Sequence, residues 1–170
     1  MTKSVSCPFG LAIMALSLGH ALPACAQSKN EQEIRALEDR YVAAVNAKVV
    51  DAIMKGYVPG NELFVFDLGL PRQHSGWNDY KKDWQDFFVV AQGPLKLDIK
   101  DLSIMNAGKI AYSHSIQHAI WTNKDGSPTE INASVTDVYR KIDGKWLIVQ
   151  EHLSVPIHIA TGQAEMMSKP

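Results

Sequence analysis

Three side chains capable of acid–base chemistry stand where the sequence pattern calls for apolar ones. Tyr41 lies on the apolar stripe of a helical segment, Arg40-Tyr41-Val42-Ala43-Ala44-Val45-Asn46. Asp67 ends the run Leu63-Phe64-Val65-Phe66. Asp137 falls in Ile131-Asn132-Ala133-Ser134-Val135-Thr136-Asp137-Val138-Tyr139. Strand alternation places it with Ile131, Ala133, Val135 and Tyr139, not with Asn132, Ser134, Thr136 and Arg140. An unpaired carboxylate on a buried face is costly, so it must find partners, keep its proton or line a cavity. The three are expected to face one pocket, where a carboxylate can take a proton and neutral donors can hold a developing oxyanion.

Other titratable groups follow the same logic. The strand Ile110 to Trp121 carries Tyr112, His114, Ile116, His118 and Ile120 on one face, read here as the pocket face. Two imidazoles there titrate near neutral pH and supply a second acid or base. Glu151 interrupts the set Leu147, Val149, Leu153 and Val155 and is a candidate partner for Asp137. Phe66, Trp84, Tyr112 and Glu151 are expected to border a substrate. His152 falls on the opposite face, and His74 and His158 read as exposed loop or tail residues. His114 and His118 are four apart on a strand, roughly 13 Å at about 3.3 Å per residue, too far to share one ion. No closed ligand set is visible, and neither a metal nor a cofactor is expected. Glycine-rich phosphate loops and a Gly-x-Ser-x-Gly elbow are absent. Structural roles stay open for each residue: Tyr41 as a satisfied core phenol, Asp67 as a turn organiser, Asp137 as the buried partner of His114 or His118.

The elements that must position these groups divide the chain in two. Asn30, with Glu33 reaching back, is expected to cap a helix bearing Ile34, Leu37, Tyr41, Val42 and Val45. Asp51 caps a short second helix, closed by Pro59-Gly60. A strand from Leu63 to Leu68 leads into Gly69-Leu70-Pro71. Ser75 then caps a third helix with the stripe Trp77, Tyr80, Trp84, Phe87 and Phe88. Strands follow. Leu95, Leu97 and Ile99 alternate until the apolar phase slips to Leu102 and Ile104, which predicts a β-bulge near Lys100-Asp101. Asp125-Gly126 and Asp143-Gly144 are hairpin signals. The layout predicts an α+β domain, three N-terminal helices packed on one face of a bent antiparallel sheet. The opposite face is expected to bear Ser113, Gln117, Trp121, Ile148 and His152 and to pair two copies of the domain.

This layout resembles the nuclear transport factor 2-like superfamily, a conical α+β fold, and within it SnoaL-like proteins and ketosteroid isomerases. The phrases that carry it are Arg40 to Ala47, Val65 to Gly76, and Thr136-Asp137-Val138-Tyr139-Arg140-Lys141 before Asp143-Gly144-Lys145-Trp146. The resemblance implies an oxyanion-hole phenol at Tyr41, a general base at Asp67 and a protonated carboxylic acid at Asp137. Two departures stand out: His114 and His118 on the strand facing the pocket, and a longer loop around Val58 to Asn61. Both favour a smaller or more oxygenated substrate than a steroid. The implied activity is proton transfer on a small carbonyl compound, of isomerase, dehydratase or cyclase type. A non-catalytic ligand-binding or dimeric interaction module is the alternative, because the superfamily hosts enzymes and binders alike.

Composition bounds the rest. Lys3, the apolar run Leu11 to Leu18 and Ala24-Cys25-Ala26 read as a signal peptide over residues 1–26, with export to the periplasm or medium. Leu22-Pro23-Ala24-Cys25 loosely fits a lipoprotein box, which would instead leave a lipid on Cys25. Both cysteines, Cys7 and Cys25, lie in that segment, so the remaining chain has no disulfide and no thiolate chemistry. Residues 27–159 suffice for one domain, and residues 160–170 read as a polar tail. The 170-residue chain has a net charge of −1, with charges interspersed, which disfavours nucleic acid and anionic membrane surfaces as partners.

Overall fold

The computed structural model describes residues 28–169. The expected leader, its cleavage site and both cysteines lie outside the described residues. Helix α1 (Lys29–Asn46) begins at Ser28, whose hydroxyl accepts the Glu31 N–H at 3.2 Å. Asn30 and Glu33, expected to form the cap, are held elsewhere. Lys141 Nζ bonds both, and Trp146 Nε1 donates to Glu33 at 3.2 Å. Helix α2 (Val50–Ile53) runs into a 3₁₀ turn, Met54–Gly56, and a second 3₁₀ turn covers Gly60–Glu62.

Strand β1 is Phe64–Phe66, and β2 is Gln73–Ser75, where the sequence predicts a loop residue at His74 and a helix cap at Ser75. Helix α3 (Trp77–Val90) starts after Gly76, whose φ of 96° suits glycine alone, so Ser75 is a strand residue and not the cap. Asp79 Oδ2 accepts the Ser75 N–H at 2.9 Å and ties the helix to that strand.

Four long strands complete the sheet: β3 (Leu95–Ala107), β4 (Ile110–Thr122), β5 (Pro128–Ile142) and β6 (Lys145–Ser154). Their order is β2-β1-β6-β5-β4-β3. All pairs are antiparallel except β1 beside β6, so the sheet is mixed. The predicted bulge lies between Lys100 and Ser103, with Asp101 at φ 53°. The β5–β6 turn places Asp143 at φ 49° and Gly144 at φ 80°, the pair of positive φ values that a two-residue hairpin needs.

The helices cover one face of the bent sheet. Ile34, Leu37, Tyr41 and Val45 of α1 pack with Ile53, Met54, Tyr57, Val65, Tyr80, Tyr139, Trp146 and Ile148 in one core. The segment read as a free tail is used. Strands β7 (Ile157–His158) and β8 (Gln163–Ala164) pair, and the Asn132 N–H donates to Met166 O at 2.7 Å. No helix among the described residues is long and apolar enough to cross a membrane.

Candidate functional site

The sheet register builds the site. Ser113 pairs with Asp137, Asp137 with Glu151, Glu151 with Val65, and Val65 with His74. Cross-strand partners share a face, so these five form one row across the helix-covered side. All five are buried. His74 is thus a core residue, contrary to the exposed loop position expected for it; the missed strand β2 turns it inward.

Beneath the helices the row becomes a network of three carboxyl groups and four phenols. Glu151 accepts from Tyr57 at 2.8 Å and from Tyr80 at 2.6 Å. Tyr139 donates to Glu38 at 2.8 Å, and its oxygen meets Ser113 Oγ at the same distance. Among the described residues Asp137 Oδ1 has no hydrogen-bond partner as long as both carboxyls are ionised. Asp137 and Glu151 face one another, and a proton on Asp137 would make the missing bond. Burial, then the charges of Glu151 and Glu38, pushes the Asp137 carboxyl well above the usual range. Glu151 is also raised by burial, but its two tyrosine bonds oppose that. We therefore assign the proton to Asp137 and the charge to Glu151, which then accepts three hydrogen bonds. Burial raises Glu38 to about 7, against the bond from Tyr139. Tyr41, Tyr57, Tyr80 and Tyr139 are all raised by burial first and by the neighbouring carboxylates second, so they remain proton donors.

A cavity of about 530 Å³ opens beside this network. Its apolar wall includes Val45, Trp84, Phe87, Leu95, Trp121 and Leu153; its polar members are Tyr41, Tyr80, Asp67, His74, Asp83, Asp86 and Gln117. Tyr41 and Tyr80 belong to both wall and network, whereas Asp137 and Glu151 stand behind the wall. Asp67 reaches the wall because its backbone N–H bonds Arg72 O at 2.9 Å, closing the β1–β2 loop, and because it is in phase with Val65. Its Oδ1 accepts the Leu68 N–H.

The sequence expectations divide accordingly. Tyr41, Asp67, Asp137, Trp84 and Glu151 come together, the first two and Trp84 on the wall and the two acids beneath it. His114, His118, Tyr112 and Phe66 do not. Ala111, Ser113, Ser115, Gln117 and Ala119 are the inward residues of β4, so Tyr112, His114, Ile116, His118 and Ile120 face outward. His118 bonds the surface carboxylate of Glu130 at 2.8 Å. Phe66 lies beside Phe64 and His152, its ring 5.3 Å from the imidazole, on the outer face. With His114 and His118 outside, the wall is mostly apolar, and the more oxygenated substrate argued from them loses that support. Of the face expected to pair two copies, Ser113, Gln117 and Ile148 are buried, Trp121 lines the cavity, and His152 alone is exposed. In β6 the register jumps from Val138–Gln150 to Tyr139–Ile148 and leaves Val149 unpaired. That bulge turns Trp146 and Ile148 inward while Glu151 keeps its inward place.

Glu38, Tyr57, Tyr80 and Tyr139 were not recognised as site residues. Glu38 was within reach of the sequence, four residues after Ile34 and three before Tyr41, on the same helical face.

The sequence profile of the SnoaL-like domain matches residues 34–158. Among solved structures, the chain is similar to a nuclear transport factor 2-like protein of unknown function from Pseudomonas putida KT2440. The two share 26% identity and a TM-score of 0.74, over 83% of this chain and 96% of that one. A superfamily member from Salmonella enterica aligns at 18% identity and TM-score 0.69, over 79% and 96%. A protein from Streptomyces avermitilis, described as a candidate dehydratase of the same family, aligns at 11% and 0.63, over 72% and 93%. No curated protein matches the chain significantly.

Proposed function

Because the chain belongs to the SnoaL-like family, we propose that it is an exported pocket protein performing proton transfer on a small carbonyl compound, in the manner of an isomerase, dehydratase or cyclase. The observation that carries this is the acid–phenol network ending at Tyr41 and Tyr80 in the wall that also holds Asp67. In this reading Asp67 takes the proton next to the carbonyl and Tyr41 donates toward the developing oxyanion, while Tyr80, whose proton is held by Glu151, lines the wall beside it. Asp137 and Glu151 act through the phenols as positioning residues. Desolvated donors fixed in advance stabilise charge in a way that solvated ones do not. The volume lies within the usual range for small-molecule sites, and the apolar wall fits a mostly hydrocarbon body with one polar end.

Proton exchange at the α-carbon tests it. A panel of cyclic and aromatic ketones in deuterated buffer, followed by NMR, should show exchange that Asp67→Asn lowers roughly 100-fold or more. Exchange unaffected by Asp67→Asn rejects the assignment.

The non-catalytic reading has its own support, since Asp67 Oδ1 is engaged by the loop N–H and both Tyr57 and Tyr80 are committed to Glu151. Native mass spectrometry that recovers an unaltered retained ligand, with no exchange on any ketone, favours binding alone. Two copies are further proposed to pair through the outer sheet face, where Tyr112 is 48% and Ile120 is 37% exposed.

A further inference from the structure

His74 is 3% exposed, yet its Nδ1 has no hydrogen-bond partner among the described residues. Its imidazole lies between two carboxylates one helical turn apart on α3. Nδ1 is 3.5 Å from Asp79 Oδ2, and Nε2 is 3.6 Å from Asp83 Oδ1. A protonated histidine locked into ion pairs would draw such oxygens in to hydrogen-bond range, about 2.7–2.9 Å. Two ligands of one tetrahedral ion, each about 2.1 Å from it, are instead separated by about 3.4 Å. The Nε2–Asp83 spacing matches that edge. Asp67 completes the group, the three ligand atoms lying within 4.8 Å of one another. Closing Asp67 onto an ion asks for a shift of about an ångström from a carboxylate on a half-exposed loop.

The charge balance points the same way. Asp67, Asp79 and Asp83 converge on one imidazole, and no Lys or Arg among the described residues is ion-paired with them. The nearby lysines of α3 are engaged elsewhere, Lys81 with Asp51 and Lys82 with Asp86.

We propose that Asp67, His74 through Nε2, and Asp83 bind a divalent transition-metal ion, of the zinc or manganese class, in the wall of the cavity. One imidazole nitrogen with two carboxylates suits such an ion better than magnesium or calcium, which take oxygen ligands. Asp79, 3.5 Å from Nδ1, stands where a small rotation of the imidazole onto the ion would let it accept from Nδ1–H, the arrangement that fixes the tautomer of a ligating histidine. All three ligands border the cavity, so coordination positions remain for water or a substrate oxygen. The inference does not rest on the proton-transfer reading, though in a loaded protein Asp67 serves as ligand and not as a free base.

The test uses the full chain, stripped with chelator and titrated calorimetrically with Zn²⁺ and with Mn²⁺, without substrate. Co²⁺ absorption serves as a second probe of the ligand set. One ion per chain is expected. His74→Gln and Asp83→Asn should each weaken binding by roughly 100-fold, and Asp79→Asn by roughly 10-fold, with His118→Gln unchanged. Asp83 is partly exposed, so Asp83→Asn keeps the test open if His74→Gln fails to fold; melting curves of both variants decide that. Failure of the wild-type protein to take up either ion overturns the proposal. So does uptake by Asp83→Asn equal to that of wild type, which would place the ion elsewhere. Metal uptake by a chain whose metal-free form shows no ketone exchange would leave this site standing and reject the proton-transfer reading.

Discussion

Two rows of residues cross the same strands one position apart and have little else in common. The inner row is Ser113, Asp137, Glu151, Val65 and His74; the outer row is His114, Thr136, His152, Phe66 and Gln73. Both are mostly polar. The inner polar groups are desolvated, and Ser113, Asp137 and Glu151 are joined through Tyr57, Tyr80 and Tyr139, while on the outer row four of the five residues are exposed to solvent. A polar strand residue therefore marks a candidate site only when its face is known. A group that water can satisfy costs little, whereas a buried one constrains every neighbour.

Substitution of adjacent residues gives the widest contrast. Glu151→Ala removes the acceptor of two buried phenols and of Asp137 and leaves a cavity. A loss of about 3–5 kcal/mol is expected in chemical denaturation. His152→Ala, its neighbour on the outer face, should change stability by no more than about 1 kcal/mol. Equal effects would break the distinction between the rows.

Acidity sharpens it next. Glu38 is raised from 4.5 to about 7 in the folded chain, so the folded state binds more protons than the unfolded one between those values. Its contribution is complete below about pH 4.5 and is lost as pH rises through about 7, a change of about 3 kcal/mol. Asp137, raised by burial in the same way, adds to that slope. Glu38→Gln should flatten stability over this window, read from urea midpoints at pH 4.5, 6 and 7.5. A wild-type protein that gains stability across it would contradict protonated acids in the core.

The inner row was legible where the pattern is local. Asp137 shares its phase with Ile131, Ala133, Val135 and Tyr139, and the structure buries all five. The slip after Ile99 marked the β3 bulge, and the three segments that resemble the family gave the fold. The outer row was not legible. On β4 the larger apolar residues Tyr112, Ile116 and Ile120 face out, while inward-facing Ala111 is paired with Tyr139 and Ser113 bonds its hydroxyl. Hydrophobic alternation ranks faces by apolarity, and here the crowded side takes alanine and serine. On β6 an unpaired Val149 reverses the phase midway, which a strict period of two cannot express. His74 was missed because its three-residue strand lies among turn residues.

Asp137→Asn probes where the proton sits. If Asp137 is neutral and donates to Glu151, an asparagine N–H can do the same, and stability at pH 7 should change by no more than about 1 kcal/mol. Ketone exchange should fall more than stability does, because a change at Glu151 is passed through Tyr57 to Tyr41, the phenol that faces the cavity. A loss of 3 kcal/mol or more, on the order expected when a buried charge is left unpaired, would mean that Asp137 carries the charge instead.

The smallest effect is expected at His118, and it tests the outer row alone. The imidazole bonds Glu130 at 2.8 Å and lies 4.0 Å from Asp98, and both carboxylates are exposed. Solvent screens such pairs, so His118→Ala should cost about 0.2–1 kcal/mol at low salt and less at high salt. Ketone exchange should be unchanged, since no atom of the outer face reaches the cavity wall. The proposed pairing of two copies changes the expectation in one measurable way. If Tyr112 and Ile120 are covered by a second copy, His118 between them is desolvated there, and the loss should grow with protein concentration. Sedimentation equilibrium of wild type, His118→Ala and Tyr112→Glu separates the cases. A wild-type monomer at all concentrations rejects the pairing, whereas a dimer that Tyr112→Glu dissociates gives the outer row its own function.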